Sequence, residues 1–275
     1  MQALWLKLVQ ALVAGSLALL VALTFLRNRG LNQNFAAHPH KFWTAPITLV
    51  ISPNAQTPLR KQVEDFAVSS SARILHLPLY VDEDSKIWVI PLPRARKLVR
   101  FQSGAVAKAD LVNETHGVVL PLAEIIEMLP DHRLVLDLRS NVPNVDQLLI
   151  ETIEQMKLNE RAIVHSEFDV VLTNLRRQRP QWLFGIPLGE RTRASLMASL
   201  FLEPIANFSG DVLFYFSPEK PENLRIISPR LIRELHRRHK KVLMGPNPDE
   251  EKQISTHSTD SIDGEVSYLH PNDAL

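Results

Sequence analysis

From Ile47 onward the chain switches repeatedly between short β-rich runs and segments with helical apolar spacing, and this alternation restricts its fold more than any other feature. Ile47 to Ile51 has the pattern of a short buried strand, and Leu59, Val63, Phe66 and Ala67 follow at i, i+4, i+7 and i+8, one apolar face of a helix. Leu75, Leu77, Leu79 and Val81 alternate along a strand whose other face carries Ile74, His76, Pro78 and Tyr80. A turn at Asp84-Ser85 returns the chain into Ile87 to Ile90, which predicts a hairpin. Helical spacing then recurs at Leu122 to Leu129, Val145 to Met156, Phe168 to Leu175, Arg193 to Leu202 and Pro229 to His239. Strands are expected at Leu134 to Leu138, Ala162 to His165, Trp182 to Phe184, Val212 to Phe216, Val242 to Met244 and near Glu265-Val266. With the hairpin strand set aside there are about eight βα repeats, which fit a closed (β/α)8 barrel or an open doubly wound sheet. Pro78 inside a strand is awkward for both, since it cannot donate to a ladder, and it is easiest near a strand end or bulge.

Ahead of the alternating body, Leu8 to Leu26 is apolar apart from Gln10, Ser16 and Thr24. A helix of that length spans a hydrocarbon core of roughly 30 Å. The run ends in bulky residues, and small residues suited to cleavage appear only at Ala36-Ala37, so an anchor is favoured over a removed leader. Arg27, Arg29 and Lys41 follow the run and Lys7 precedes it, a margin that favours a cytoplasmic body but is too small to fix its side. Gly30 to Pro46 lacks either periodicity and reads as a polar linker. The expected organisation is an anchor over residues 1–29, a linker over 30–45 and one body over 46–275, a length suited to a single large core.

Composition removes several functions. Lys+Arg number 31 against Asp+Glu 30, so no global field argues for a nucleic-acid partner. Without cysteine there is no disulfide scaffold, thiol nucleophile or Cys-ligated metal. Ser52, Ser166 and Ser195 lie in no nucleophile elbow. His236 and His239 are three apart on a predicted helix, but Arg237 and Arg238 lie between them and repel a cation, so a solvated basic face is expected. His38 and His40 read as linker residues. Two basic clusters, Arg94, Arg96, Lys97 and Arg100, and then Arg230 through Lys241, are either ordinary solvated surface or contacts to anionic headgroups. The sequons at Asn113 and Asn207 matter only in a eukaryotic secretory compartment.

The stretch Ser71 to Pro91, SARILHLPLYVDEDSKIWVIP, resembles the glycerophosphodiester phosphodiesterase segment Gly-Ala-Asp-x-Ile-Glu-Leu-Asp-Val, a Thr-x-Asp-Gly turn, and Val-Val-x-His-Asp. Lys241 to Met244 with Asn247, and Ser261 to Pro271, are similar to that family's last two strands. Leu134 to Arg139 is similar to its Ile-Glu-Ile-Lys strand, and Ile163 to Phe168 to its Ser-Phe strand end. The resemblance covers roughly Pro46 to Leu275 and implies a (β/α)8 TIM barrel, behind one transmembrane helix, that cleaves glycerophosphodiesters with a carboxylate-held divalent cation and two proton-carrying histidines.

Aligned residue by residue, that machinery is altered. Ser52-Pro53-Asn54 stands where the family has His-Arg-Gly, and Pro58-Leu59-Arg60-Lys61 where it has Pro-Glu-Asn-Thr. His76 and Pro78 replace the paired carboxylates, and Pro91 and Leu92 the His-Asp pair. Asp137 and Arg139 keep the acid-then-base character of the Glu-x-Lys strand, or else form a structural ion pair at its end. Losing the proton carriers alone costs about 10²–10⁴-fold. The expected protein is therefore a catalytically inactive, membrane-tethered barrel with a binding or regulatory role and no cofactor, its ligand a phospholipid headgroup or glycerophosphodiester. Two alternatives stay open. One is an active phosphodiesterase built on Asp137, Arg139 and His76, with Ca²⁺ or Mg²⁺; the other is a scaffold for a protein partner.

Overall fold

The computed structural model describes residues 2–44, 49–53, 57–68, 73–91, 119–216, 228–245 and 263–268. A long helix α1 (Gln2–Leu31) and a 3-10 turn (Lys41–Thr44) precede β1 (Leu49–Ser52), α2 (Leu59–Ala67), β2 (Arg73–Val81), β3 (Ile87–Val89), β4 (Leu120–Pro121), α3 (Leu122–Met128) and β5 (Arg133–Leu138). Next come α4 (Val145–Gln155), β6 (Ala162–Ser166), α5 (Asp169–Gln178), β7 (Leu183–Phe184), α6 (Leu188–Ser199) and a second 3-10 turn (Glu203–Ile205). The described part closes with β8 (Val212–Phe216), α7 (Pro229–Arg237), β9 (Lys241–Gly245) and β10 (Gly264–Tyr268).

Eight strands pair in parallel in the order β7-β6-β5-β2-β1-β10-β9-β8. The two ends of that order meet. Gly185 bridges Val212 in parallel, the Ile186 N–H donates to the Val212 carbonyl at 2.7 Å, and the Asp211 N–H donates to the Phe184 carbonyl at 2.7 Å. The sheet is therefore a closed (β/α)8 barrel, which leaves no parallel edge unpaired. β3 and β4 pair antiparallel beside β2, outside the barrel.

Closure depends on two glycines. A Cβ on Gly210 would lie 2.4 Å from the Gly185 carbonyl oxygen, and one on Gly185 would lie 2.2 Å from the His165 imidazole. Pro78 is tolerated because β2 changes partners there. Below it β2 pairs with β1, as far as Leu75; above it β2 pairs with β3, from Leu79, and the Pro78 carbonyl accepts from the Ile90 N–H at 3.1 Å.

Strand alternation sorts side chains into two shells. Leu75, Leu77, Leu79, Leu134, Leu136, Leu138 and Val164 pack outward against α2 to α5. Ile74, Val135, Ile163, Leu183, Val212, Phe214 and Leu243 fill the barrel interior, joined by Phe42 from the segment expected to be a polar linker. Phe42 is 1 % exposed, and burying such a ring stabilises the fold by about 1.5–3 kcal/mol. Its carbonyl accepts from Arg133 Nη1 at 3.1 Å, and that guanidinium lies 5.4 Å from the ring centroid. Because Arg133 opens β5, Phe42 plugs the amino-terminal end of the barrel. The linker is thus part of the body's packing: His38 lies 3.3 Å from Asp211, His40 Nε2 lies 3.1 Å from the Asn159 carbonyl, and Lys41 pairs with Glu160 at 2.7 Å.

Lys7–Leu31 of α1 is long and apolar enough to cross a membrane, and none of the residues in its most apolar stretch is fully buried by the rest of the chain. Its last turns dock on the body. Gly30 abuts Pro204, where a Cβ would come within 2.4 Å of the carbonyl oxygen. Arg237 at the end of α7 donates to the carbonyls of Gly30 (3.0 Å), Leu31 (3.2 Å) and Gln33 (2.8 Å). These include terminal carbonyls that a helix leaves without partners of its own.

Candidate functional site

At the carboxyl ends of β2, β5 and β6 the interior turns polar. Inward alternation that places Ile74 low in the barrel brings His76 above it on β2, while Val135 leads to Asp137 on β5 and Ile163 to His165 on β6, Asp137 and His165 being register partners. His76 and Asp137 are completely buried and His165 is 8 % exposed. Three donors converge on one oxygen. Arg139 reaches Asp137 Oδ2 through Nε at 2.7 Å and Nη2 at 2.5 Å, and His76 Nε2 lies 3.1 Å from the same atom. An ionised carboxylate only accepts, so His76 carries its proton on Nε2. Arg139 Nη1 also donates to Glu167, whose side chain is 47 % exposed.

Burial opposes ionisation of Asp137, but Arg139 and the His76 hydrogen bond outweigh it and hold the carboxyl far below the usual carboxylate range. Arg139 is desolvated too, yet Asp137 and Glu167 raise its pKa further. Burial raises the Tyr80 phenol, and Asp137 and Glu167 add to this against the opposing pull of Arg139. Burial lowers His165 to about 4, Arg139 and His76 adding to it against the pull of Asp137. At neutral pH the cluster is therefore a neutral His165 beside an ion pair. Asp137 Oδ1 and His165 Nδ1 are buried and make no hydrogen bond to a described protein atom.

A divalent cation fits this donor set poorly. A hard ion takes several carboxylate or carbonyl oxygens, whereas here the one fully buried carboxylate is held by a guanidinium that would repel the ion. Glu167 is held by the same guanidinium. Among the described residues no group of three or more His, Asp or Glu side chains is placed to hold a metal. An anion fits better. Arg139 carries a planar fork just past the end of β5; it is itself buried, and part of it is held only by a half-exposed carboxylate.

The sequence-predicted residues divide accordingly. His76, Asp137 and Arg139 come together, and Pro78 lies beside them as the register partner of Asp137. Ser52 ends β1, with Pro53 buried just after it, and Pro91 is buried beyond β3. Leu92, Arg94, Arg96, Lys97, Arg100 and Asn113 lie outside the described residues. Ser166 is structural, its hydroxyl donating to the Leu138 carbonyl at 2.8 Å and accepting from the Phe168 N–H at 3.1 Å. Ser195 is exposed on α6. Sequence reasoning missed His165, Tyr80 and Glu167. The available signal was alternation, which puts His165 on the face of Ile163 and Tyr80 on that of His76.

The expected solvated basic face on α7 is corrected in part. Glu234 is buried and binds Arg237 at 2.6 Å and Arg238 at 2.6 Å, and Arg238 also donates to the carbonyls of Ala206 and Pro204. A depression of about 770 Å³ lies at the opposite, amino-terminal end of the barrel. Its charges are already matched: Lys240 pairs with Asp211 at 3.2 Å, and His236 and Lys241 with Asp263 at 2.9 Å each.

No family model and no curated protein matches the sequence. Solved structures do match its fold. A glycerophosphodiester phosphodiesterase from Parabacteroides distasonis superimposes with a TM-score of 0.54 at 10% identity over 81% of this chain and 93% of that one. One from Agrobacterium tumefaciens gives 0.51 at 11% identity over 80% and 96%. The glycerophosphoryl diester phosphodiesterase domain of a Mycobacterium tuberculosis protein gives 0.51 at 12% identity over 81% and 96%. The chain shares their barrel fold. The family resemblance in the sequence and the likeness in structure agree.

Proposed function

We propose that this chain is a single-pass membrane protein whose glycerophosphodiester phosphodiesterase-like barrel binds a phosphate-bearing headgroup without cleaving it. The observation that carries the reading is the state of Arg139: one edge is locked on buried Asp137, and Nη1 is held by Glu167, a half-exposed carboxylate that a phosphate can displace. Cleavage in the related fold needs a carboxylate-held cation and proton carriers near neutral pH. Here Asp137 is committed to a guanidinium and His165 is neutral and buried. Anchoring is supported by the apolar length of α1 and by the docking of its end on Pro204 and Arg237, contacts that removal of the helix as a leader would destroy.

Thermal unfolding of the detergent-solubilised full chain tests the reading. Glycerol 3-phosphate or a glycerophosphodiester should stabilise it, by about 2.7 kcal/mol at a hundredfold excess over Kd, and glycerol should not. Glu167→Gln should tighten binding by freeing Arg139. Metal-dependent release of glycerol 3-phosphate that Asp137→Ala abolishes would establish the enzyme alternative instead. Indifference to every phosphate ligand would favour the scaffold for a protein partner.

A further inference from the structure

Six large apolar side chains outside α1 are exposed among the described residues, and three of them, Leu196, Leu200 and Phe201, cluster where α6 ends. Phe201 holds a left-handed backbone conformation, φ 62°, which bulky residues rarely adopt. Its ring is 54 % exposed and lies 3.8 Å from the Arg230 guanidinium. Core packing does not account for an aromatic ring held outward in this way.

The position of this corner along α1 is fixed by contacts. The Phe201 carbonyl accepts from Arg27 Nε at 3.1 Å, and Gly30 abuts Pro204. Leu23 is half-buried while Leu20, Val21, Phe25 and Leu26 around it are exposed. The apolar run ends at Leu26, so at 1.5 Å per residue the body reaches roughly 5 Å inside that run. Where α1 crosses a bilayer, Phe201 therefore sits at the hydrocarbon boundary, beside the basic groups of Arg27 and Arg230 and with Arg193 exposed nearby on α6.

We infer that the corner formed by Leu196, Leu200 and Phe201 is a second membrane contact, inserted into the interface of the bilayer that α1 spans, with Arg27 and Arg230 at the level of anionic headgroups. The barrel is then held by two points and cannot swing freely on a tether, so its orientation to the lipid surface is set by the fold.

Because this contact rests on α1 spanning the bilayer, the test labels both. The chain has no cysteine, so Leu12→Cys, Leu200→Cys, Phe201→Cys and Val170→Cys each accept one fluorophore in the full chain. The labelled chains are reconstituted into phosphatidylcholine–phosphatidylglycerol vesicles and quenched either by spin-labelled lipid or by aqueous iodide. Lipid should quench positions 12, 200 and 201 several-fold more than position 170, with 200 and 201 within about 5 Å of the hydrocarbon boundary. Iodide quenching at 200 and 201 equal to that at 170, with position 12 still quenched by lipid, overturns the second contact and leaves the anchor standing. Shielding of 200 and 201 from both quenchers overturns it in favour of a second copy or another protein. Failure of lipid to quench position 12 overturns the anchor and the contact together. Leu200→Cys retains the Phe201–Arg230 pair, so it decides the matter if Phe201→Cys does not fold.

Discussion

His76 Nε2 lies 3.1 Å from Asp137 Oδ2 although the two residues are not register partners: Asp137 stands opposite Pro78, and His76 opposite Val135. The imidazole therefore reaches along the barrel axis, toward the strand ends, to meet a carboxylate one layer higher. Arg139 approaches the same oxygen from the end of its own strand. Desolvating such a pair is expensive, and the hydrogen bonds converging on Oδ2 are what make the ion pair tolerable in the barrel.

Removing Asp137 should therefore cost far more than removing the other carboxylate on Arg139. Asp137→Ala leaves a buried guanidinium facing His76 and should lower unfolding stability by about 3–5 kcal/mol. Glu167→Ala removes a half-exposed partner and should cost within about 1 kcal/mol. Denaturant titration of the two variants in parallel checks the contrast, and equal losses would mean that the arginine is balanced mainly from the solvent side.

Stability should also fall as the solution is acidified from about pH 6.5 to about pH 4. Burial places the folded-state pKa of His165 near 4, below its ordinary 6.5, so across that interval the unfolded chain binds a proton that the folded chain refuses. The expected loss is about 1.5 kcal/mol between pH 6.5 and 5, because the slope is half of 1.36 kcal/mol per pH unit at pH 6.5 and approaches the full value below it. His165→Gln should make the profile shallower there, the remaining slope coming from His40 and His132, whose pKa values burial also lowers. Asp137 acts in a separate window: its folded pKa is depressed, so its contribution is complete above the ordinary carboxylate range and is lost only in stronger acid. Unfolding curves at several pH values, wild type against variant, separate the two groups.

Gly185→Ala would push a methyl group to within 2.2 Å of His165 Nδ1. Overpacking of this kind costs about 1–3 kcal/mol. Adding His165→Ala should recover part of that loss, because the imidazole is the atom group in the way. A double-mutant cycle in thermal unfolding would show the coupling, and additive losses would contradict it.

Much of the barrel was legible because period-two alternation survives even in short strands. β2 displays it over nine residues, Arg73–Val81. Closure was not legible, since it depends on a two-residue β7 and on the backbone approach of Gly185 and Gly210, neither of which leaves a hydrophobic pattern. Asp137 and Arg139 could be singled out along one strand, but their partners Glu167 and His165 arrive from the next strand, and that requires knowing strand order and register. Phe42 was hidden for another reason: an apolar pair, Phe42-Trp43, in a polar stretch has no periodicity to betray its burial. Arg237 and Arg238 read as free charge in sequence, whereas on the helix both converge on Glu234, three and four residues earlier on the same face.

The same arginine supplies the last expectation. Arg237 donates to Gly30, Leu31 and Gln33 while Glu234 holds its other edge, so it acts as a clasp between α7 and the end of α1. Arg237→Ala should leave the barrel folded, because Arg238 keeps its own contacts to Glu234, Ala206 and Pro204. Gly30→Val should separate the same surfaces by steric clash with Pro204. In both variants limited proteolysis should cut faster between Asn32 and His40, several-fold above wild type, while the unfolding midpoint of the body shifts by only a few degrees. A body that unfolds outright when Arg237 is replaced would show that α1 is part of the core and not a docked anchor.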